Sequence, residues 1–162
     1  MAEAAKLSEL LSEQDILLDA EIDTKPALLA LAAERLAAAT GLESGKILAA
    51  LTDREKLGST AINRGVAVPH AGLDALTKPA ALFLRLAHPI EFEASDKNPV
   101  DLAFVMIWPN EKRKGLFATL SGLCWSLREE AFLRDLRDAS DPAEMQSLLA
   151  QSEDEAASRK GN

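Results

Sequence analysis

The sequence predicts one α/β domain, an α+β sandwich in which helices cover both faces of a central mixed β-sheet. Two nearly continuous apolar blocks, residues 80–87 and 100–108, have the length and composition of interior strands. Apolar residues at helical spacing lie both before and after these blocks. The 162 residues are 48% hydrophobic, which suits a single domain with a sizeable core.

The first third of the chain combines helix signals with one β-prone segment. Thr24 can cap the free N–H groups of a helix, and Pro26 falls in the first turn, where its missing N–H costs nothing. Gly41 is typical of a helix end. The elements predicted here are an amphipathic turn at 7–11, a strand at 15–22, a helix from 24 to 41 and a second helix from 44 to 56, ended by Gly58.

The middle of the chain favours strands. Residues 66–68, Val-Ala-Val, form a short β-prone run, and we expect it to end at Pro69 with His70 in the following loop. The two apolar blocks follow, and residues 89–99 between them are rich in turn formers and charge.

The last third returns to helix. Asp141, Pro142 and Glu144 read as the N-cap, first and third positions of a final helix. After residue 150 the chain is polar, and we expect residues 151–162 to be a disordered tail following a domain at 1–150. The apolar stripe of the preceding helix consists of Leu116, Leu120, Leu123 and Leu127.

Composition excludes several function classes. The chain carries 18 basic and 26 acidic residues, a formal charge of −8, which disfavours nucleic acid as a partner. One cysteine excludes a disulfide framework and a cysteine-rich zinc site, and two histidines exclude a three-histidine metal centre. We expect no cofactor and no metal. The N-terminus lacks a secretory pattern and no apolar run approaches the roughly 20 residues of a membrane span, so a cytoplasmic protein without membrane insertion is expected.

The segment 53–70 holds the residues with the richest chemistry. His70 follows a strand and a stiff proline, and its imidazole titrates near neutrality. Arg54 and Arg64 carry guanidinium forks that suit phosphate oxygens, and Ser59 and Thr60 add hydroxyl donors. These are the parts of a phosphoryl-accepting site. The residues alone equally allow a surface or capping histidine and solvated arginines, and this alternative stays open.

The same segment resembles a known active-site signature. It is similar to that of the type-2 enzyme IIA domains of the bacterial phosphoenolpyruvate-dependent phosphotransferase system, the fructose–mannitol and nitrogen-regulatory group. Residues 92–104 resemble the family's second block, and the resemblance extends over about residues 7–149. The chain most resembles the standalone nitrogen-regulatory members. The matching residues of the signature are Arg54-Glu55, Gly58-Ser59-Thr60-Ala61-Ile62 and Gly65-Val66-Ala67-Val68-Pro69-His70.

The resemblance implies a role for two residues. His70 matches the phosphorylated histidine, which accepts a phosphoryl group from an HPr-type phosphohistidine carrier, and Arg54 matches the arginine that stabilises that group. Ser59, Thr60 and Arg64 remain phosphate-binding candidates. The implied function is a regulatory phosphocarrier, a phosphotransferase component rather than a free-standing enzyme. Its implied regulatory targets are proteins such as a sensor kinase or a potassium transporter.

The chain also departs from the family pattern. Ala61 and Asn63 stand where the family favours glycine, and residues 115–120 lack the second active-site histidine that many relatives carry there. Lys112, Arg113 and Lys114 lie just before that region. They can supply charge to the site or form a solvated turn, and both interpretations stay open. Two alternatives therefore stay open: a binding module that keeps the fold without phosphotransfer, and a fructose-type component of sugar transport.

Overall fold

The protein is described here from a computed structural model, which covers residues 5–160. Within this part of the chain no helix is long and apolar enough to cross a bilayer. The elements, in chain order, are α1 (Leu7–Leu10), β1 (Ile16–Ala20), α2 (Lys25–Thr40), α3 (Ser44–Lys56), β2 (Val66–Ala67), β3 (His70–Leu73), β4 (Ala80–Ile90), β5 (Val100–Pro109), α4 (Arg113–Ser126), α5 (Glu130–Asp138) and α6 (Pro142–Lys160).

The five strands form one mixed sheet. Strand β4 lies between β1, which it pairs in parallel, and β5, which it pairs antiparallel. Strands β2 and β3 both pair in parallel with the other side of β5. The two apolar blocks are thus the interior strands that the sequence predicts. The short strands β2 and β3 form one edge of the sheet, and the candidate site lies on this edge.

Helices cover both faces of the sheet, because side chains of the central strands alternate between them. Along β5, Val105 and Ile107 join the core beneath α2 and α3, which includes Leu28 and Leu51. Trp108 of the same strand lies on the opposite face. The predicted α/β sandwich is therefore confirmed. The second core also contains Phe83, Phe104, Met106, Leu116, Leu133 and Leu149, the last three from α4, α5 and α6.

The predicted helix ends are borne out by their hydrogen bonds. The Thr24 hydroxyl accepts the N–H of Ala27 at 3.2 Å, and Gly41 follows the last residue of α2. At the start of α6, the Asp141 carboxylate accepts the N–H of Glu144 at 2.8 Å. These caps satisfy donors that have no partner inside the helix.

Two expectations differ from the structure. His70 does not lie in a loop but begins β3, paired with Met106, because the carbonyl of Pro69 accepts the N–H of Met106 at 2.9 Å and restarts the pairing. The polar segment after residue 150, expected to be disordered, continues α6 up to Lys160. Its contact with the N-terminal region explains the order, since the Ser8 hydroxyl donates to the Glu153 carboxylate.

Candidate functional site

His70 occupies an exposed margin of the sheet between the two helical layers. It is the first residue of β3, and its register partner is Met106, whose side chain lies in the core beneath α4, α5 and α6. Val68 faces the same core, whereas Ala71 faces the core beneath α2 and α3. The imidazole therefore projects on the α4 side, where it is partly buried. Pro69 before it stiffens the approach, since its ring fixes φ.

One ring nitrogen of His70 is fixed by the backbone. Its Nδ1 lies 2.8 Å from the carbonyl oxygen of Val68. A carbonyl oxygen can only accept, so Nδ1 carries the hydrogen and donates it. In the neutral ring the lone pair must then reside on Nε2, the nitrogen farther from the backbone. The arrangement defines a single tautomer whose nucleophilic atom is Nε2.

The surroundings also keep this ring neutral. Burial lowers the pKa of His70 below its ordinary value of 6.5, because the charged form loses solvation. The Val68 carbonyl opposes this shift, the positive charge of Arg54 adds to it, and the negative charge of Glu55 opposes it. The net direction is downward, so at neutral pH the lone pair of Nε2 is available.

Arg54 lies in the last turn of α3 and is held in place by the loop that follows. Its Nη1 donates to the carbonyl oxygen of Gly58 at 3.0 Å, and no other residue of the described chain accepts from this guanidinium. The remaining N–H groups are thus open to a ligand. Because the charge of Arg54 acts on the pKa of His70, the two side chains share one electrostatic environment.

Glu55 is the buried anchor of the site. Its carboxylate accepts the Thr60 hydroxyl and the Thr60 N–H, the latter at 3.3 Å, and lies 2.7 Å from the Lys25 ammonium. The ammonium in turn lies 4.6 Å from the centre of the Phe92 ring. The side chain of Glu55 is 5% exposed, so the carboxylate is buried with its charge paired. This cluster joins α2, the end of α3 and the loop that leads to His70.

Known proteins are similar to this chain over most of its length. The model of the family described as phosphoenolpyruvate-dependent sugar phosphotransferase system, EIIA 2, matches residues 9–152. The chain belongs to this family. A nitrogen regulatory protein of Bradyrhizobium diazoefficiens is 34% identical over 89% of this chain and 94% of its own length. One from Klebsiella oxytoca is 32% identical over 91% of this chain and 92% of its own length.

Solved structures agree with the sequence comparison. Nitrogen regulatory protein IIA-Ntr from Neisseria meningitidis superimposes with a TM-score of 0.87 at 29% identity, covering 90% of this chain and 99% of that one. The mannitol IIA of Escherichia coli, at 24% identity and a TM-score of 0.72, shares the fold over 86% of this chain and 98% of that one. The predicted resemblance to the type-2 IIA family is confirmed.

The three further phosphate-binding candidates of this IIA protein have intramolecular partners. The Thr60 hydroxyl donates to Glu55, and the Ser59 hydroxyl donates to the carbonyl of Phe92 at 2.5 Å. The Arg64 guanidinium donates to the carbonyl of Arg128 at 2.7 Å. The structure therefore places the charge of Arg54 in the surroundings of His70 and engages the hydroxyls of Ser59 and Thr60 in the loop. Arg64, like Arg54, makes one side-chain hydrogen bond and keeps its other donors open.

The loop before β2 explains the departures from the IIA pattern. Asn63 adopts a φ of 80°, a conformation that asparagine tolerates in place of glycine. Ala61 forms an antiparallel bridge with Ala67 and needs no left-handed backbone. Gly65, with φ also 80°, is required, because a Cβ there would lie 2.7 Å from Nη2 of Arg137. The backbone of this loop therefore accommodates asparagine at 63 and alanine at 61 but has glycine at 65.

Two features escaped the sequence reasoning. The sequence pattern assigns no role to Glu55. A glutamate next to the candidate arginine, with two hydroxyl residues a few positions later, does indicate a carboxylate that accepts hydrogen bonds from those hydroxyls. The ion pair with Lys25 has no local signal, because Lys25 begins α2 and Glu55 lies near the end of α3, thirty residues later. In the region without the second histidine, Leu116 is buried and Phe117 is exposed.

Proposed function

We propose that this IIA protein is a regulatory phosphocarrier that accepts a phosphoryl group on Nε2 of His70 from an HPr-type phosphohistidine carrier. The observation that carries this proposal is the Nδ1–H of His70 on the Val68 carbonyl at 2.8 Å. It leaves a neutral ring with its lone pair on Nε2, in the electrostatic range of Arg54. A lowered pKa keeps that lone pair free at neutral pH.

The transfer step is a displacement at phosphorus. The Nε2 lone pair of His70 forms the new phosphorus–nitrogen bond while the bond to the carrier imidazole breaks, and the carrier nitrogen keeps that electron pair. The hydrogen stays on Nδ1 and is donated to the Val68 carbonyl throughout. Because one phosphorus–nitrogen bond replaces another, the reaction is close to thermoneutral and reversible, so positioning supplies most of the catalysis.

Arg54 supports the step by stabilising charge. In the transition state the negative charge spreads over three equatorial oxygens, and a guanidinium fork matches two of them. The bond to the Gly58 carbonyl fixes one side of the fork and leaves the others for the phosphoryl group. The buried Glu55 cluster holds α3 and the loop together, so Arg54 acts from a fixed position.

The output we propose is regulation in the cytoplasm. A phosphoryl group adds about 1.5 to 2 negative charges and three acceptor oxygens, which alters docking of target proteins. Relatives matched over more than nine tenths of their length carry the name nitrogen regulatory protein. A fructose-specific IIA component of Haloferax volcanii is 35% identical over 64% of this chain and 68% of its own length. This difference in coverage favours regulation, through targets such as a sensor kinase or a potassium transporter, over sugar transport.

The test is phosphorylation by purified components. The protein is incubated with phosphoenolpyruvate, enzyme I and an HPr-type carrier, and acid-labile phosphate is measured. We expect label on wild type, none on His70→Gln, and full label on the matched control His88→Gln, which changes the other histidine, exposed on β4. Label on His70→Gln would refute the site.

The same experiment addresses the binding-module alternative. A folded wild-type protein that takes no label from any HPr-type carrier of its source organism would refute phosphotransfer and leave the binding module. Target capture by phosphorylated and unphosphorylated protein then separates regulation from transport. A regulatory carrier binds its target differently in the two states, whereas a transport component restores sugar uptake to membrane vesicles holding the matching permease.

A further inference from the structure

On the α4 side of β3, the strand position next to His70 is a glycine and carries no side chain. Gly72 lies two residues after His70 on β3, so positions 70 and 72 face the same side of the sheet. A Cβ at Gly72 would lie 2.0 Å from Oδ1 of Asn110 and 3.4 Å from Nε of Arg113. The glycine therefore makes room for the side chain of Asn110, which follows β5, and the Arg113 guanidinium at the start of α4 lies at contact distance from the same backbone.

This placement brings Arg113 close to the acceptor histidine. Alternate residues of a strand are roughly 7 Å apart, twice the rise of about 3.3 Å per residue. The Nε of Arg113 lies against the backbone one such step from His70. A phosphoryl group on Nε2 extends outward from the ring, and the terminal nitrogens of Arg113 extend beyond Nε. The two groups are therefore within reach of each other.

The guanidinium of Arg113 has no acceptor in the described part of the chain. Arg54, Arg64, Arg85 and Arg137 donate to carbonyl or carboxylate oxygens, whereas Arg35 and Arg134 share with Arg113 the lack of an acceptor within the described residues. What distinguishes Arg113 is its position against β3 at Gly72. A planar fork with five donors is well suited to an anion that arrives from outside. The open donors of Arg113 are thus available to a phosphoryl group.

Helix stability does not explain the basic residues at this position. Arg113 and Lys114 begin α4, Lys112 precedes it, and no acidic residue lies in the first turn. Cations at a helix N-terminus oppose the macrodipole, which favours negative charge there. Their position is instead favourable for an anion bound at this end of the helix.

The neighbouring carboxamide supports the same arrangement. The Nδ2 of Asn110 donates to the Asp74 carboxylate at 2.7 Å, which fixes the side chain over Gly72. Its Oδ1 is buried without a hydrogen-bond partner. Here it lines the space that Arg113 occupies.

We propose that Arg113 is a second catalytic residue, which binds the phosphoryl oxygens on His70 from the α4 side. The proposal rests on phosphorylation of His70. Arg54 then approaches the group from α3 and Arg113 from α4, on the two sides of the sheet edge. Arg113 thereby supplies donors near the region of α4 where this chain lacks a second histidine.

The test measures the rate of His70 phosphorylation with two donors, the HPr-type carrier and phosphoramidate. Phosphoramidate is a small phosphorus–nitrogen donor that needs no protein docking. We expect Arg113→Gln to slow both reactions at least about tenfold and Arg113→Lys to retain an intermediate rate. Gly72→Ala should slow both as well, because its Cβ would overlap Oδ1 of Asn110 and displace that side chain, which lies beside Arg113. The matched control Arg35→Gln, which removes the same guanidinium charge from an exposed position on α2, should stay within about twofold of wild type.

The outcomes separate this proposal from the proposed function. Equal rates for Arg113→Gln and wild type, with wild type labelled, overturn the role of Arg113 and leave phosphotransfer standing. A slower reaction with the carrier alone also overturns it, because it assigns Arg113 to docking. Absence of label on wild type with both donors overturns both proposals together. Thermal unfolding of each variant confirms that it is folded before its rate is compared.

Discussion

Replacement of Glu55 by glutamine tests how far the buried cluster supports the site. The carboxylate of Glu55 accepts two hydrogen bonds from Thr60 and pairs with Lys25 at 2.7 Å. Glutamine keeps the size of the side chain and removes the charge. Lys25, with its side chain 14% exposed, then retains a positive charge without its main partner.

The expected loss of stability follows from burial. Breaking a buried ion pair by removing one partner costs about 3–5 kcal/mol, because the other charge stays buried and unpaired. Lys25 keeps a weaker contact with Glu93 at 4.0 Å and remains slightly exposed, so we take the lower end, about 3 kcal/mol. For a chain of this size that corresponds to a fall of roughly 6–12 °C in Tm.

The assay is thermal unfolding followed by circular dichroism, with a matched control. Asp53→Asn removes a carboxylate from the same helix, where it faces Lys56 at 4.0 Å with both side chains more than 70% exposed. Such a pair contributes at most about 1 kcal/mol, so we expect Tm to change by no more than a few degrees. In a double-mutant cycle, Lys25→Met should cost at least about 1 kcal/mol less in the Glu55→Gln background than in wild type.

The same variant reports on the site. Removing Glu55 removes a charge that raises the pKa of His70, so the pKa of His70 should fall further. Phosphorylation should slow because the loop at Thr60 loses its attachment to α3. A Tm of Glu55→Gln within 2 °C of wild type, with no coupling to Lys25, would refute the argument that this buried pair anchors the site.

Three further predictions concern the histidine, the arginine and the loop. The pKa of His70 is lowered in the folded state, so the unfolded chain binds protons more readily and the free energy of unfolding falls as pH drops from 6.5 through the folded pKa. His70→Gln should flatten this pH dependence when unfolding is measured between about pH 7 and pH 5. An unchanged slope in the variant would contradict the argument. Arg54→Gln should slow phosphorylation at least about tenfold with Tm nearly unchanged, since its one hydrogen bond is exposed; equal rates would remove Arg54 from the mechanism. Gly65→Ala should lower the free energy of unfolding, measured with denaturant, by at least about 1 kcal/mol, because a Cβ at φ 80° meets Arg137. An unchanged free energy of unfolding would show that the loop adjusts to the added Cβ without cost.

Much of the fold follows from local sequence. The two apolar blocks identify the interior strands, because a strand that is covered by helices on both faces carries apolar side chains on both faces. Thr24 and Asp141 mark helix starts because their side chains bond to nearby N–H groups, a contact within one turn. Such signals need no knowledge of distant residues, and the structure confirms them.

The remainder depends on tertiary contacts. His70 begins a strand because the Pro69 carbonyl meets β5, a partner more than thirty residues away. The end of α6 is ordered although its composition is polar, since Glu153 contacts Ser8 at the other end of the chain. The types of residue at 59 and 60 predict hydroxyl donors but leave their acceptors unspecified, and both acceptors, Glu55 and Phe92, become visible only in the fold.

The chemistry of the site is likewise predictable in part from local sequence and depends in part on tertiary contacts. Residue types and spacing point to His70 and Arg54, and the family match supports the signature that contains them. The tautomer of His70 is set by a backbone carbonyl two residues earlier, which no pattern of side chains encodes. The position of Arg113 over Gly72 likewise depends on how α4 meets β3.

The most direct test of the account is the position of the phosphoryl group on His70. The protein is labelled with ¹⁵N at histidine, phosphorylated through enzyme I and an HPr-type carrier, and examined by ¹H–¹⁵N and ³¹P NMR. The account predicts phosphorus bonded to Nε2 of His70, with the hydrogen retained on Nδ1 and donated to the Val68 carbonyl. A phosphoryl group on Nδ1, on His88, or on no histidine of a folded protein would contradict it.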